Sequence, residues 1–132
     1  MDIKEYVKNG FKNKNCGQIV LGYFYDNDEL NALSAGFGGG FGVAKLCGSY
    51  AASICVLGLK FRDKKTLDGK IKEFESEFLR VYNSLNCSEI LGADFRDKDG
   101  LKKIQDENLF GTVCVNLTTG CIEILNKLIN KG

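Results

Sequence analysis

Along most of this chain apolar residues recur at intervals of three and four, the spacing that gathers one face of an α-helix. Ile3, Tyr6, Val7 and Phe11 do so among lysines and predict a short amphipathic helix over residues 2–12. Asn15 follows, with Gln18 three positions on, the asparagine form of a capping box. A second helix is therefore expected through Ile19, Val20, Leu21, Tyr23 and Phe24. Asp26-Asn27-Asp28 ends it, and Asp28 can cap a third over residues 29–35. The stretch 36–59 is different. A glycine-dense loop, Gly36 to Gly42, feeds a segment apolar on nearly every side, the mark of a helix surrounded by neighbours. It predicts a buried central helix over about residues 44–59.

Residues 60–65 form a charged turn, and Thr66 or Leu67 opens a long helix to about Leu85. Its inner stripe is Ile71, Phe74, Phe78, Leu79, Val81, Tyr82 and Leu85, with lysine, glutamate and arginine opposite. Asn86-Cys87-Ser88-Glu89 repeats the capping signal, with Glu89 placed to close the box, and predicts a short helix over Cys87–Leu91. Residues 92–99 read as a loop and 100–107 as a helical turn or two. Thr112 can cap a final helix to about Asn130, with a strand over 112–119 as the second choice because valine and threonine are frequent there. The fold class expected is all-α, a compact bundle of six or seven helices around the central one, with residues 1–132 as one domain.

Composition narrows the chemistry. The 132 residues carry 18 basic and 17 acidic side chains, net +1, so no field is present to gather nucleic acid or an anionic membrane, and neither is expected as a partner. Histidine is absent, which removes imidazole bases, catalytic triads and imidazole metal ligands. Cysteine is left as the reactive side chain. The opening Met1-Asp2-Ile3-Lys4-Glu5 has no apolar export core, and the longest apolar run, residues 46–59, falls short of the roughly 20 residues of a spanning helix. A cytoplasmic location is expected.

The six cysteines form no C-x-x-C, so any site they make must be assembled by folding. Position along the helices divides them. Cys16 follows Asn15, Cys87 follows Asn86, Cys114 lies two residues after Thr112, and Cys47 stands at the entrance of the central helix. At these helix starts free N–H groups and the positive end of the dipole favour thiolate and are expected to lower the pKa. Cys55 and Cys121 fall inside helices, beside Ile54 and Ile122, and read as small buried hydrophobes. The glycine loop is not followed by Gly-Lys-Ser/Thr and does not spell a P-loop. Its glycines read as close packing and a turn around Cys47.

The run Asn15-Cys16-Gly17-Gln18, then Gly36-Phe37-Gly38-Gly39-Gly40 leading to Cys47-Gly48, then Cys87 through Leu91-Gly92, then Leu109-Phe110 to Cys114, resembles the redox-active protein family named for its C, GCAxxG, C, C cysteine pattern. It departs from that pattern at the central motif. Where the family has cysteine, glycine, alanine, two variable residues and glycine, this chain has Cys47-Gly48-Ser49-Tyr50-Ala51-Ala52. The resemblance implies a small helical protein with Cys16, Cys47, Cys87 and Cys114 as signature cysteines.

Four thiolates without histidine suit an iron–sulfur cluster or zinc. The expectation is that the four converge as ligands of an iron–sulfur cluster for electron transfer, with Gly38, Gly39, Gly40 and Gly48 bringing backbone to the cofactor. The protein would be an electron carrier or an oxidoreductase component, with a redox partner protein. The alternatives are a structural zinc site and a metal-free thiol/disulfide protein with Cys47 and Cys16 as its reactive pair. Residual apolar surface on the first and last helices would suit a homodimer.

Overall fold

In a computed structural model the chain is described over residues 2–130, and it is all-α: eight α-helices and no strand among those residues. Helix α1 (Ile3–Gly10) starts where Asp2 accepts a hydrogen bond from the Glu5 N–H at 2.8 Å. The predicted box opens α2 (Cys16–Phe24): Asn15 Oδ1 accepts from the Gln18 N–H at 2.9 Å and Gln18 Oε1 from the Asn15 N–H at 3.0 Å. Helix α3 (Asp28–Leu33) is capped by Asn27 rather than Asp28, because the Asn27 carbonyl oxygen Oδ1 reaches the Leu30 N–H at 2.9 Å.

The central helix, α4 (Gly48–Lys60), begins four residues later than the hydrophobic run suggested. Gly39, Gly40, Phe41, Gly42 and Ala44 all take positive φ, so residues 40–44 form a left-handed turn that cannot continue into a right-handed helix. After the turn the chain runs extended and pairs with the segment before α6. Leu46 and Asn86 form an antiparallel bridge, flanked by Cys47 N–H donating to Leu85 O at 2.8 Å and Cys87 N–H to Lys45 O at 2.6 Å.

Helix α5 (Lys64–Tyr82) opens two residues before Thr66, capped by Asp63, which accepts from the Thr66 N–H and hydroxyl, and stops at Tyr82 because Asn83 is left-handed. Val81, assigned to its inner stripe, is 52 % exposed, whereas Phe74 and Phe78 are fully buried. Then come α6 (Cys87–Leu91) and α7 (Lys98–Asp106), the latter capped by Asp97. A π-type turn, Phe110–Cys114, runs straight into α8 (Val115–Asn130). Thr112 lies inside that turn and caps nothing; its hydroxyl donates to Asn108 O at 3.0 Å.

Helix α4 packs against α2, α5 and α8, and α8 also covers α1. Val7, Ile19, Val20, Val56, Leu57, Phe74, Phe78, Ile122 and Leu125 lose all exposure in that contact. At about 1.5–3 kcal/mol for each fully buried large aliphatic or aromatic side chain, this cluster is the main source of stability. Among the described residues no single helix is long and apolar enough to cross a membrane. Helices α7 and α8 reach such a length and composition only as a pair bent by 64°.

Candidate functional site: a thiol-ringed cavity

The bridge and the left-handed turn have a joint consequence at the cysteines. Pairing residues 45–47 with 85–87 sets the N-terminal end of α4 beside that of α6, and so brings Cys47 and Cys87 onto one side of the molecule. The turn must pass closely over both. A Cβ at Gly40, where φ is +59°, would lie 2.9 Å from the Cys87 Cβ and would strike the Lys45 backbone. Cys16, the first residue of α2, arrives through the packing of α2 on α4. Its sulfur is so close that a Cβ at Gly48 would stand 2.9 Å from it and would also collide with the Phe37 carbonyl. Cys114 ends the π-type turn, with helical residues on both sides of it.

These placements put Cys16, Cys47, Cys87 and Cys114 on the wall of a single cavity of about 280 Å³. Gly38, Gly39, Gly40 and Gly48 line it too. The rest of the wall is mostly apolar, with Ile90, Leu91 and Leu117 among its side chains. The aromatic rings that reach it are Phe11 and Phe110; Phe37 and Phe41, which flank the glycines, pack on one another with centroids 4.8 Å apart. Asn15 also borders the cavity while pinning the loop behind α3, donating from Nδ2 to Ser34 O at 3.1 Å and Ala35 O at 2.8 Å.

Asn86 caps α6 through Ser88, accepting from its N–H at 3.1 Å and its hydroxyl at 2.7 Å. The box expected with Glu89 is closed by relay instead. The Asn86 N–H donates to Ser84 Oγ at 3.0 Å, and the Ser84 hydroxyl donates to Glu89 at 3.1 Å.

The electrostatics correct one expectation. Helix-start positions were to lower the thiol pKa values; instead all four are raised, chiefly by the loss of water on burial, and only Cys16 and Cys47 have hydrogen-bond donors that offset part of it. Burial pushes Cys47 up to about 12, the neighbouring Cys16 adds to the rise, and the Tyr50 and Ser49 N–H groups offset part of it. Burial takes Cys87 to about 11, with Cys16 and Asp94 contributing. Cys114 is raised further by burial and by its three companions. Cys16 rises for the same first reason, moderated by hydrogen bonds from the Ser49 hydroxyl and the Gly17 and Ser49 N–H groups. The thiols therefore stand close enough to disfavour one another's ionisation, and all six cysteines are free.

Cys55 is raised by burial alone and does not line the cavity. Cys121, fully buried and raised well above the ordinary range chiefly by that burial, with Cys47 and Cys16 adding to the rise, does not line it either. Sequence reasoning missed Ser49 and Thr118, both fully buried, whose hydroxyl oxygens meet 2.9 Å apart at the cavity wall. No local signal distinguishes a serine inside an apolar helix from a tolerated small residue. Among the described residues no group of three or more His, Cys, Asp or Glu side chains is placed to hold a metal ion.

An all-α protein with four cysteines gathered on one cavity is the class defined by fold and site together. The chain belongs to the family described as "Putative redox-active protein (C_GCAxxG_C_C)", whose model matches residues 12–128. Neither a curated protein nor a solved structure matches the chain.

Proposed function

We propose that this protein is an electron carrier in which Cys16, Cys47, Cys87 and Cys114 hold an iron–sulfur cluster. The observation that carries the reading is the meeting of four cysteines, from four separate elements, on one largely apolar cavity of about 280 Å³. Four thiols with no histidine or carboxylate on the wall are a soft donor set. Zinc would suit the same sulfurs but has no redox couple, and the description of the family as redox-active favours an iron–sulfur cluster over it. When bound, the cluster supplies the one-electron couple, and a redox partner protein would exchange the electron.

The chain's own contributions follow from the wall. Ile90, Leu91 and Leu117 exclude water, and Cys16 and Cys47 stand at the starts of α2 and α4, where the helix N–H groups have no partner within the helix. Because burial keeps the thiols protonated at neutral pH, ligation must expel their protons, and uptake releases acid into the medium. The same burial argues against the metal-free alternative, in which Cys47 attacks and Cys16 resolves, since a thiol held up at about 12 is almost wholly un-ionised at pH 7.

Purification without oxygen, followed by absorption spectroscopy and iron and acid-labile sulfide analysis, tests the reading. Coloured protein is expected, bleached by Cys16→Ser or Cys87→Ser and preserved in Cys55→Ala and Cys121→Ala. Colourless protein without metal, whose thiols titrate rapidly, would favour thiol/disulfide chemistry instead.

A further inference from the structure

Beyond its sulfurs and glycines, the cavity is walled mainly by carbon. Phe11 from the end of α1, Ile90 and Leu91 from α6, Phe110 from the π-type turn and Leu117 from α8 supply it. Three polar side chains besides the thiols reach the wall, and each is already satisfied within the fold. Asn15 donates from Nδ2 to the Ser34 and Ala35 carbonyls and accepts at Oδ1 from the Gln18 N–H. The Ser49 and Thr118 hydroxyls, both fully buried, stand 2.9 Å apart and satisfy each other. No charged side chain is among the described wall residues, and burial keeps the Cys47 and Cys87 thiols un-ionised at neutral pH. A polar guest would give up its water there for few new partners, whereas an apolar one gives up little.

We propose that in the metal-free protein this cavity is a binding site for a small, neutral, planar aromatic molecule of two fused rings. Volume sets the size. An apolar cavity of about 150 Å³ lined by leucine, isoleucine and phenylalanine takes up benzene. This one, at about 280 Å³, has room for a second ring. The wall selects an aromatic guest over an aliphatic one, because Phe11 and Phe110 can meet it edge-on or offset and polarisable sulfur is a favourable neighbour for a ring. Phe110 lines the cavity while 43 % exposed, so the wall reaches the surface there and a guest can enter without the core opening. Binding of this kind needs neither a metal nor the iron–sulfur reading of the preceding subsection.

The test uses the full chain, metal-free and reduced, with naphthalene as the probe. At ten times its Kd a guest that binds only the folded protein should lower the unfolded fraction about elevenfold, read as a rise in melting temperature. Alkylation under native conditions, mapped by peptide mass, locates the guest. Naphthalene should slow modification of the four cavity cysteines by a similar factor and leave Cys55, half-buried and off the wall, unchanged. Adenine, a bicycle of like shape whose edges require hydrogen bonds, should do neither. Ile90→Phe, which fills part of the space from α6, should weaken the response; if that variant does not fold, the contrast between the cavity cysteines and Cys55 decides. No response to naphthalene, equal slowing at Cys55, protection by adenine as strong as by naphthalene, or an unaltered response in folded Ile90→Phe would each overturn the proposal. Failure to take up a cluster removes the preceding reading and leaves this one standing, whereas a cluster-loading protein that ignores naphthalene when metal-free does the reverse.

Discussion

The two ends of α4 are built on opposite plans. Toward its C-terminal end Val56 and Leu57 have no exposure and belong to the cluster of Phe74, Phe78, Ile122 and Leu125, where the interior is filled with carbon. At its N-terminal end Cys47, Gly48 and Ser49 are also buried, yet they border an open cavity of about 280 Å³ ringed by sulfur. Empty apolar volume is destabilising, by about 24 cal/mol for each Å³ left after a side chain is cut away. A chain able to pack one end of a helix without voids has the means to pack the other. That it keeps a recess where four thiols meet, and not where aliphatics meet, separates the end that holds the fold together from the end that gives the protein something to bind.

Substitutions should expose that division, most strongly in the filled half. Phe78→Ala removes a ring from the centre of an aromatic group in which Tyr50, Phe74 and Tyr82 all lie within 6.2 Å of it. A loss of about 3–5 kcal/mol is expected in urea unfolding, with cluster uptake surviving wherever the protein remains folded. Gly40→Ala strikes the open half. A left-handed φ of +59° and the approach to Lys45 and Cys87 should together cost about 2 kcal/mol or more, and here reconstitution should fail before the fold does. A variant that melts early yet loads normally would show that the turn does not set the cavity.

Asn15→Ala removes a cap and a tether at once and should cost about 1 kcal/mol, read as a lower urea midpoint. A further effect is one of pH on the metal-free protein. Cys47 is neutral when folded until about pH 12 but ionises near its ordinary value of about 8.5 once unfolded. Its contribution is therefore whole at pH 7 and shrinks as pH rises from about 9 toward 12, by at most about 1.4 kcal/mol per unit. The urea midpoint should fall between pH 8 and 10, and less steeply in Cys47→Ala, whose site no longer titrates.

Much of the architecture was legible because it is local. The Asn15–Gln18 box, the periodicity of α1 and α5 and the short helix after Asn86 depend on residues within a few positions of one another. Errors arose where competing local partners or backbone handedness decided the boundary. Asn27 captured the cap assigned to Asp28, Asp63 the start assigned to Thr66, and five left-handed residues before Lys45 delayed α4. The direction of the thiol shifts was misjudged for another reason. Helix-end N–H groups can be inferred from neighbouring residues, but the depth to which a sulfur is buried cannot.

What the amino-acid order determined by itself was the helical class, the separation of Cys55 and Cys121 from the four signature positions, and the glycines needed where backbone passes close to sulfur. What only the tertiary structure decided was the cavity: the bridge between residues 46 and 86, the π-type entry to Cys114, and the meeting of Ser49 with Thr118 across 69 positions of chain. Short-range hydrogen bonding and side-chain periodicity are encoded within a turn or two of helix. A void and the polar groups that face it belong to no segment, and exist only when all of them have packed.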